Sequence, residues 1–101
     1  MTPQQLIALY EAKICPCCGF ELDLEPWSGK GRFQSDEICP CCHIQFGYTD
    51  FRGVDDLAGR IEIYLRFRQK WIESGMKWRG ARDEPDDSSP QKQIERLRDI
   101  A

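Results

Sequence analysis

The sequence predicts a small α+β protein in which helices surround a doubled cysteine turn, and three observations predict it. The tetrapeptide CPCC occurs twice, at 15–18 and 39–42. Short apolar alternation follows each copy. A helical period then takes over in the C-terminal half. At 101 residues, the chain is long enough for one domain with one modest core.

Thr2 reads as an N-cap, with Pro3 at the first helical position and Gln5 closing a capping box, so a helix is expected over 3–12 within an N-terminal segment 1–13. Leu6, Ile7, Leu9 and Tyr10 supply its apolar stripe. After the first CPCC, Phe20, Leu22 and Leu24 alternate with acids, as in a half-buried strand. PWSGKG punctuates it as a turn. A weaker strand is expected from Phe33 into Ile38, and another through Ile44 and Phe46, stopped by Gly47. From Asp55 the period changes: Leu57, Ile61, Tyr64, Leu65, Trp71 and Ile72 lie at helical spacing in a long helix over 54–75. Asp55 or Asp56 caps it, and Gly75 ends it at the left-handed C′ position with Met76 following at C″. An acidic linker over 83–89 leads to a last helix over 90–100, with Ser89 as cap, Pro90 in the first turn, and Ile94, Leu97 and Ile100 as its buried stripe.

Cys15, Cys18, Cys39 and Cys42 form CxxC, twenty intervening residues, and CxxC. That spacing suits a structural zinc site. Pro16 and Pro40 fix φ in each turn, and Gly19 can take positive φ just beyond the first. Such turns bring the sulfurs of residues i and i+3 together and aim amide N–H groups at them. Segment 14–47 is therefore a zinc ribbon built from two similar knuckles, with Zn²⁺ as the cofactor. His43 stands where the first knuckle has glycine; histidine tolerates the left-handed region better than most residues. The N-terminus is too polar and too short in apolar residues for a signal peptide, and no run is long enough for a membrane helix, so a cytoplasmic location is expected. In that reducing setting six cysteines favour metal over disulfides.

Cys17 and Cys41 occupy matching places inside the two turns. They read first as small buried hydrophobic residues. Three other roles stay open: alternate ligands in a CxC register, a redox pair, or accessory thiols for a second thiophilic ion such as Cu(I). His43 is the single histidine and has no orienting carboxylate motif, and six thiols argue for a closed metal site. No catalytic residue is assigned, and the expectation is a protein that is not an enzyme.

These residues, CPCCG followed by EICPCC, resemble the small bacterial cysteine-rich CPCC proteins and, more broadly, zinc ribbons with CPxCG knuckles. QFGYTDF and LRFRQKWIESGMKWRG are similar to the tail of uncharacterised members of this kind. The resemblance spans roughly residues 14–80. It implies a zinc ribbon with Cys15, Cys18, Cys39 and Cys42 as ligands. By analogy with small bacterial proteins that accompany toxin systems, it also implies an immunity or accessory role.

Between Arg60 and Arg82, seven basic residues face only Glu62 and Glu73. This face reads as the solvated side of a core helix, with nucleic-acid binding as the alternative. Trp78, flanked by Lys77 and Arg79 beyond the helix end, is either an interface anchor or a residue folded back on the core. Trp27, in the PWSGKG loop, is a second exposed-aromatic candidate. The formal charge is −3, and four thiolates with one Zn²⁺ take it to −5. The function expected is thus a zinc-stabilised module that binds a protein partner, in a toxin-immunity or regulatory role. Nucleic-acid binding and thiol redox or metal handling are the alternatives.

Overall fold

The computed structural model describes residues 1–53 and 55–99. Three helices and one two-stranded antiparallel hairpin make up its regular structure: α1 (Pro3–Glu11), β1 (Trp27–Ser28), β2 (Phe33–Gln34), α2 (Leu57–Glu73) and α3 (Pro90–Asp99), with a short 3₁₀ turn at Ala81–Asp83 before α3. Val54 and Ile100, which the sequence places in the long helix and in the last apolar stripe, lie outside the described residues.

Caps explain where the helices begin. Thr2 Oγ1 accepts from the Gln5 N–H at 3.1 Å, and Gln5 Oε1 accepts from the Thr2 N–H at 2.7 Å, a reciprocal capping box. Asp56 caps α2 by accepting from the Gly59 N–H at 2.9 Å. Ser89 accepts from the Lys92 N–H at 3.2 Å at the head of α3. The end of α2 is a Schellman turn. Gly75 sits at φ +89°, its N–H bonds the Ile72 carbonyl at 3.0 Å, and the Met76 N–H reaches back to Trp71 at 2.8 Å. Met76 is half-buried against the core.

The helical stripe of α2 is rotated from the expected one. Ile61, Ile63, Tyr64 and Trp71 are buried together with Arg60, whereas Leu65 and Ile72 are exposed. The expected strands are also reduced. Phe20–Leu24 contributes only an isolated bridge, Ile14 to Glu21, and the Ile44–Phe46 segment only Ile38 to Gln45. Leu24 is exposed rather than half-buried. The hairpin instead pairs Trp27 with Gln34 and Ser28 with Phe33. Gly29, Lys30 and Gly31 all take positive φ in its turn, and at the other end Pro26 accepts from the Ser35 N–H at 3.0 Å but has no N–H to return, which stops the ladder.

The core runs from Leu6 and Tyr10 of α1 through the six cysteines to Ile61, Tyr64 and Trp71 of α2. A polar network crosses it. Asp50 is fully buried. Its Oδ1 accepts from the Gly47 N–H at 2.6 Å and its Oδ2 from Trp27 Nε1 at 2.9 Å. The Tyr64 hydroxyl also donates to Oδ2 and lies 2.5 Å from the Tyr10 hydroxyl. The buried Arg60 guanidinium lies 3.5 Å above the Trp27 ring, a cation–π contact.

Candidate metal centre

The two CPCC segments fold into the same backbone motif. In the first, the Cys15 N–H bonds Phe20 O at 2.9 Å, the Gly19 N–H bonds Cys15 O at 2.9 Å, and the Leu22 N–H bonds Lys13 O at 2.7 Å. In the second, the corresponding bonds are Cys39 to Ile44 at 2.9 Å, His43 to Cys39 at 2.8 Å, and Phe46 to Glu37 at 3.0 Å. The positions that need the left-handed region are Gly19 at φ +75° and His43 at φ +63°. Histidine therefore does the work of glycine in the second turn.

The motif brings four sulfurs together. The Sγ atoms of Cys15, Cys18, Cys39 and Cys42 lie within 4.8 Å of one another. Cys15–Cys42 and Cys18–Cys39 are each 3.7 Å apart. That is far longer than a disulfide. It is the edge of a tetrahedron with bonds of about 2.3 Å, which has sulfurs about 3.8 Å apart. All four are buried, Cys42 being the most open at 4%. The set is positioned to coordinate a metal ion.

Six neighbouring thiols cannot all ionise, and the cluster sorts them. Hydrogen bonds, first from Cys15 and then from Cys17 and Cys18, draw Cys42 down to about 5. Burial pushes Cys15 up, but hydrogen bonds from Cys17, Cys18 and Cys39 outweigh it and leave the thiol at about 6. Cys18, hydrogen-bonded to Cys15 and Cys39, is held well above the ordinary thiol range. Burial does the same to Cys17. A cation entering the group would exchange these protons for its own charge.

Cys17 and Cys41 sit beside the four without joining them, Cys17 against Cys15 and Cys42 and Cys41 against Cys18. Both are fully buried in the core, and their sulfurs lie outside the four-sulfur group. Cys41 Sγ accepts from Gln93 Nε2 at 3.4 Å, and Gln93 also donates to the Cys18 carbonyl at 3.1 Å. One α3 amide thus spans both knuckles. Arg96 adds a bond to Gly19 O at 3.0 Å and an ion pair with Glu21 at 3.1 Å. From α2, Arg68 Nη2 donates to Pro16 O at 2.7 Å. Its charge faces Cys17, Cys15 and Cys18 and offsets thiolate charge. The Arg79 N–H bonds Cys41 O at 2.9 Å.

Gln93, Arg68 and Arg96 are functional neighbours that sequence reasoning missed. The apolar spacing points to Ile94, Leu97 and Ile100 as the buried stripe of α3, yet Gln93 is buried while Ile94 and Leu97 are only half-buried. Gln93 stands one turn before Leu97, a position that could have raised it. Arg60 and Arg68 turn inward, which removes two members of the expected basic face. The two partner-anchor indoles are corrected as well. Trp27 and Trp78 are buried at 2% and 8% exposure: Trp27 serves Asp50, and Trp78 packs edge-on against Phe20 at 5.0 Å. Lys77 and Arg79 are exposed. His43 is exposed, and its ring makes no hydrogen bond among the described residues.

α3 packs closely on the first knuckle at Gly19. A Cβ there would lie 2.0 Å from the Gln93 carbonyl oxygen, and its φ of +75° resists any side chain. Gly19→Ala should therefore lift α3 from the centre. Native-state hydrogen exchange should show α3 amides losing protection, with a loss of about 2 kcal/mol or more in global stability. Unchanged α3 protection would show that this contact yields cheaply.

No protein-family model matches the chain, and comparison with curated proteins and with solved structures finds no significant match. The structure adds to the resemblance a cluster of four cysteines that could bind a metal, and no more than that.

Proposed function

We propose that this is a non-enzymatic binding module whose fold is locked by one structural Zn²⁺ on Cys15, Cys18, Cys39 and Cys42. The observation that carries the reading is four buried sulfurs at tetrahedral spacing. Four thiolates complete the zinc shell, whereas a catalytic zinc keeps a position for water. The soft, all-sulfur donor set favours zinc over the hard cations. The reading of His43 as a turn residue without an orienting partner supports the non-enzymatic assignment.

Burial of Cys17 and Cys41 weighs against thiol exchange, since an exchanging thiol must be reached. The centre joins both knuckles to α2 and α3 through Arg68, Gln93 and Arg96, so its work in this reading is to hold a surface in shape. The expectation of a protein partner for that surface has lost the two indoles offered as its anchors, since Trp27 and Trp78 are buried. Among the described residues no helix is long and apolar enough to cross a membrane.

X-ray absorption of the purified protein tests the proposal. The expected result is one zinc per chain with four sulfur neighbours at about 2.3 Å. A light-atom ligand in the zinc shell would overturn the closed site. A stoichiometric metal other than zinc would overturn the identity of the ion.

A further inference from the structure

Two cavities lie in series along α2. One, of about 290 Å³, is walled by Arg52, Arg66 and Lys70 together with Phe51 and Phe67. The other, of about 240 Å³, shares Phe67 and Lys70 and adds Lys77 and Arg79. Neither wall contains an aspartate or glutamate. Arg66 and Lys70 are one turn apart, about 6 Å along the helix axis.

All five cations are exposed. Among the described residues none of their side chains makes an ion pair or hydrogen bond. The other arginines at the core contrast with this: Arg60 covers Trp27, Arg68 holds the Pro16 carbonyl, and Arg96 pairs with Glu21. Five unneutralised cations on one groove of a chain with formal charge −3 are a concentrated positive field on an otherwise acidic molecule.

The groove also carries aromatic faces. The Phe51 ring is half exposed at the mouth of the first cavity. In the wall of the second, Trp71 and Trp78 each bury an indole N–H that has no hydrogen-bond partner among the described residues. Repeated cations beside an exposed flat ring are what a single strand requires, with phosphates on the charges and a base on the ring. An acidic peptide would need an apolar residue at the right spacing to cover the ring, whereas each nucleotide brings a flat face together with its phosphate.

The geometry points to a binding site for single-stranded nucleic acid along this groove, with phosphates on Arg52, Arg66, Lys70, Lys77 and Arg79 and a base stacked on Phe51. The inference rests on the binding-module reading and names its ligand class. The zinc centre shapes the site indirectly, since Cys42 belongs to the wall of the second cavity.

Fluorescence anisotropy tests it, using a labelled single-stranded RNA of about ten nucleotides and zinc-loaded protein, between about 50 and 200 mM salt. Binding is expected, with a slope of log affinity on log salt reaching about −3.5, at about −0.7 per phosphate. The pair Arg66→Ala and Lys70→Ala should weaken binding about tenfold or more and flatten the slope by about 1.4. Phe51→Ala should weaken binding and leave the slope unchanged, because it removes a stacking face and no charge. Arg98→Ala, on an exposed face of α3 outside both cavities, should change neither. Absence of binding at the lower salt, or equal losses in Arg98→Ala, would overturn the site. Equal affinity for polyglutamate would assign the groove to an acidic protein instead, and binding of a mononucleotide as tightly as the oligomer would reduce it to a small-molecule pocket. Zinc content and thermal unfolding measured on the same samples separate these outcomes from failure of the metal centre.

Discussion

Cys15→Ser and Cys42→Ser should each lose the metal and fail to hold a fold at room temperature. The magnitudes decide this. Structural zinc contributes about 10–16 kcal/mol in small zinc-finger peptides. A domain of this size has a net stability of only about 5–15 kcal/mol. Losing the ion therefore exceeds what packing alone can supply. Cys17→Ser and Cys41→Ser should behave differently. Both keep the four-sulfur group intact, and both are core residues. Cys41→Ser gives Gln93 a better acceptor and should be nearly neutral. Cys17→Ser buries a hydroxyl and should cost about 1–3 kcal/mol with zinc retained. Elemental analysis and circular dichroism of the four variants check the pattern; zinc lost from Cys17→Ser and kept in Cys15→Ser would refute the ligand assignment. Acid should act like the ligand variants. The metal-bound state carries no protons on these sulfurs, so affinity falls as pH falls. Without metal, Cys18 keeps its proton at neutral pH, while Cys15 and Cys42 stay largely ionised down to about 6 and 5. Competition at these two therefore begins in that window, and zinc release should steepen through it.

The four-cysteine cluster was legible because its signal is local and doubled. CPCC with proline at the second position prescribes one turn, and two such turns at a workable separation leave few other arrangements for the sulfurs. Helix ends were legible for a similar reason: Thr2, Asp56 and Gly75 act on backbone groups within a few residues of themselves. The strands were not. Alternation at Phe20, Leu22 and Leu24 marks side chains on two faces, but a ladder also needs a partner strand, and the knuckle uses that partner for one bridge only. The two tryptophans failed for a related reason. A loop indole beside charge reads as exposed until its partner is known, and the partner of Trp27 is Asp50, 23 residues away. Arg60 and Arg68 belong to the same class. Their burial depends on Trp27 and on Pro16, which no periodicity within α2 reveals.

Asp50→Ala should be the most damaging substitution outside the metal centre. The carboxylate is fully buried and receives three donors: the Gly47 N–H, the Trp27 indole and the Tyr64 hydroxyl. Tyr64 in turn meets Tyr10, so one side chain connects β1, the turn after the second knuckle, α2 and α1. Burial pushes both phenols up, and they therefore remain neutral donors at every ordinary pH. Removing Asp50 leaves three buried donors without their acceptor. Breaking a buried charged network of this kind costs about 3–5 kcal/mol. For a domain near one hundred residues each kcal/mol is roughly 4–8 °C of melting temperature, so the midpoint should fall by some tens of degrees. Asp50→Asn keeps the shape but turns an NH₂ toward donors, and should recover only part of the loss. The four sulfurs are untouched, so the variant that still folds in the cold should carry a full equivalent of zinc. Thermal unfolding with parallel metal analysis separates the two supports of the fold: a drop in zinc matching the drop in stability would mean that Asp50 acts through the metal centre, and a change below about 1 kcal/mol would mean that the network is dispensable.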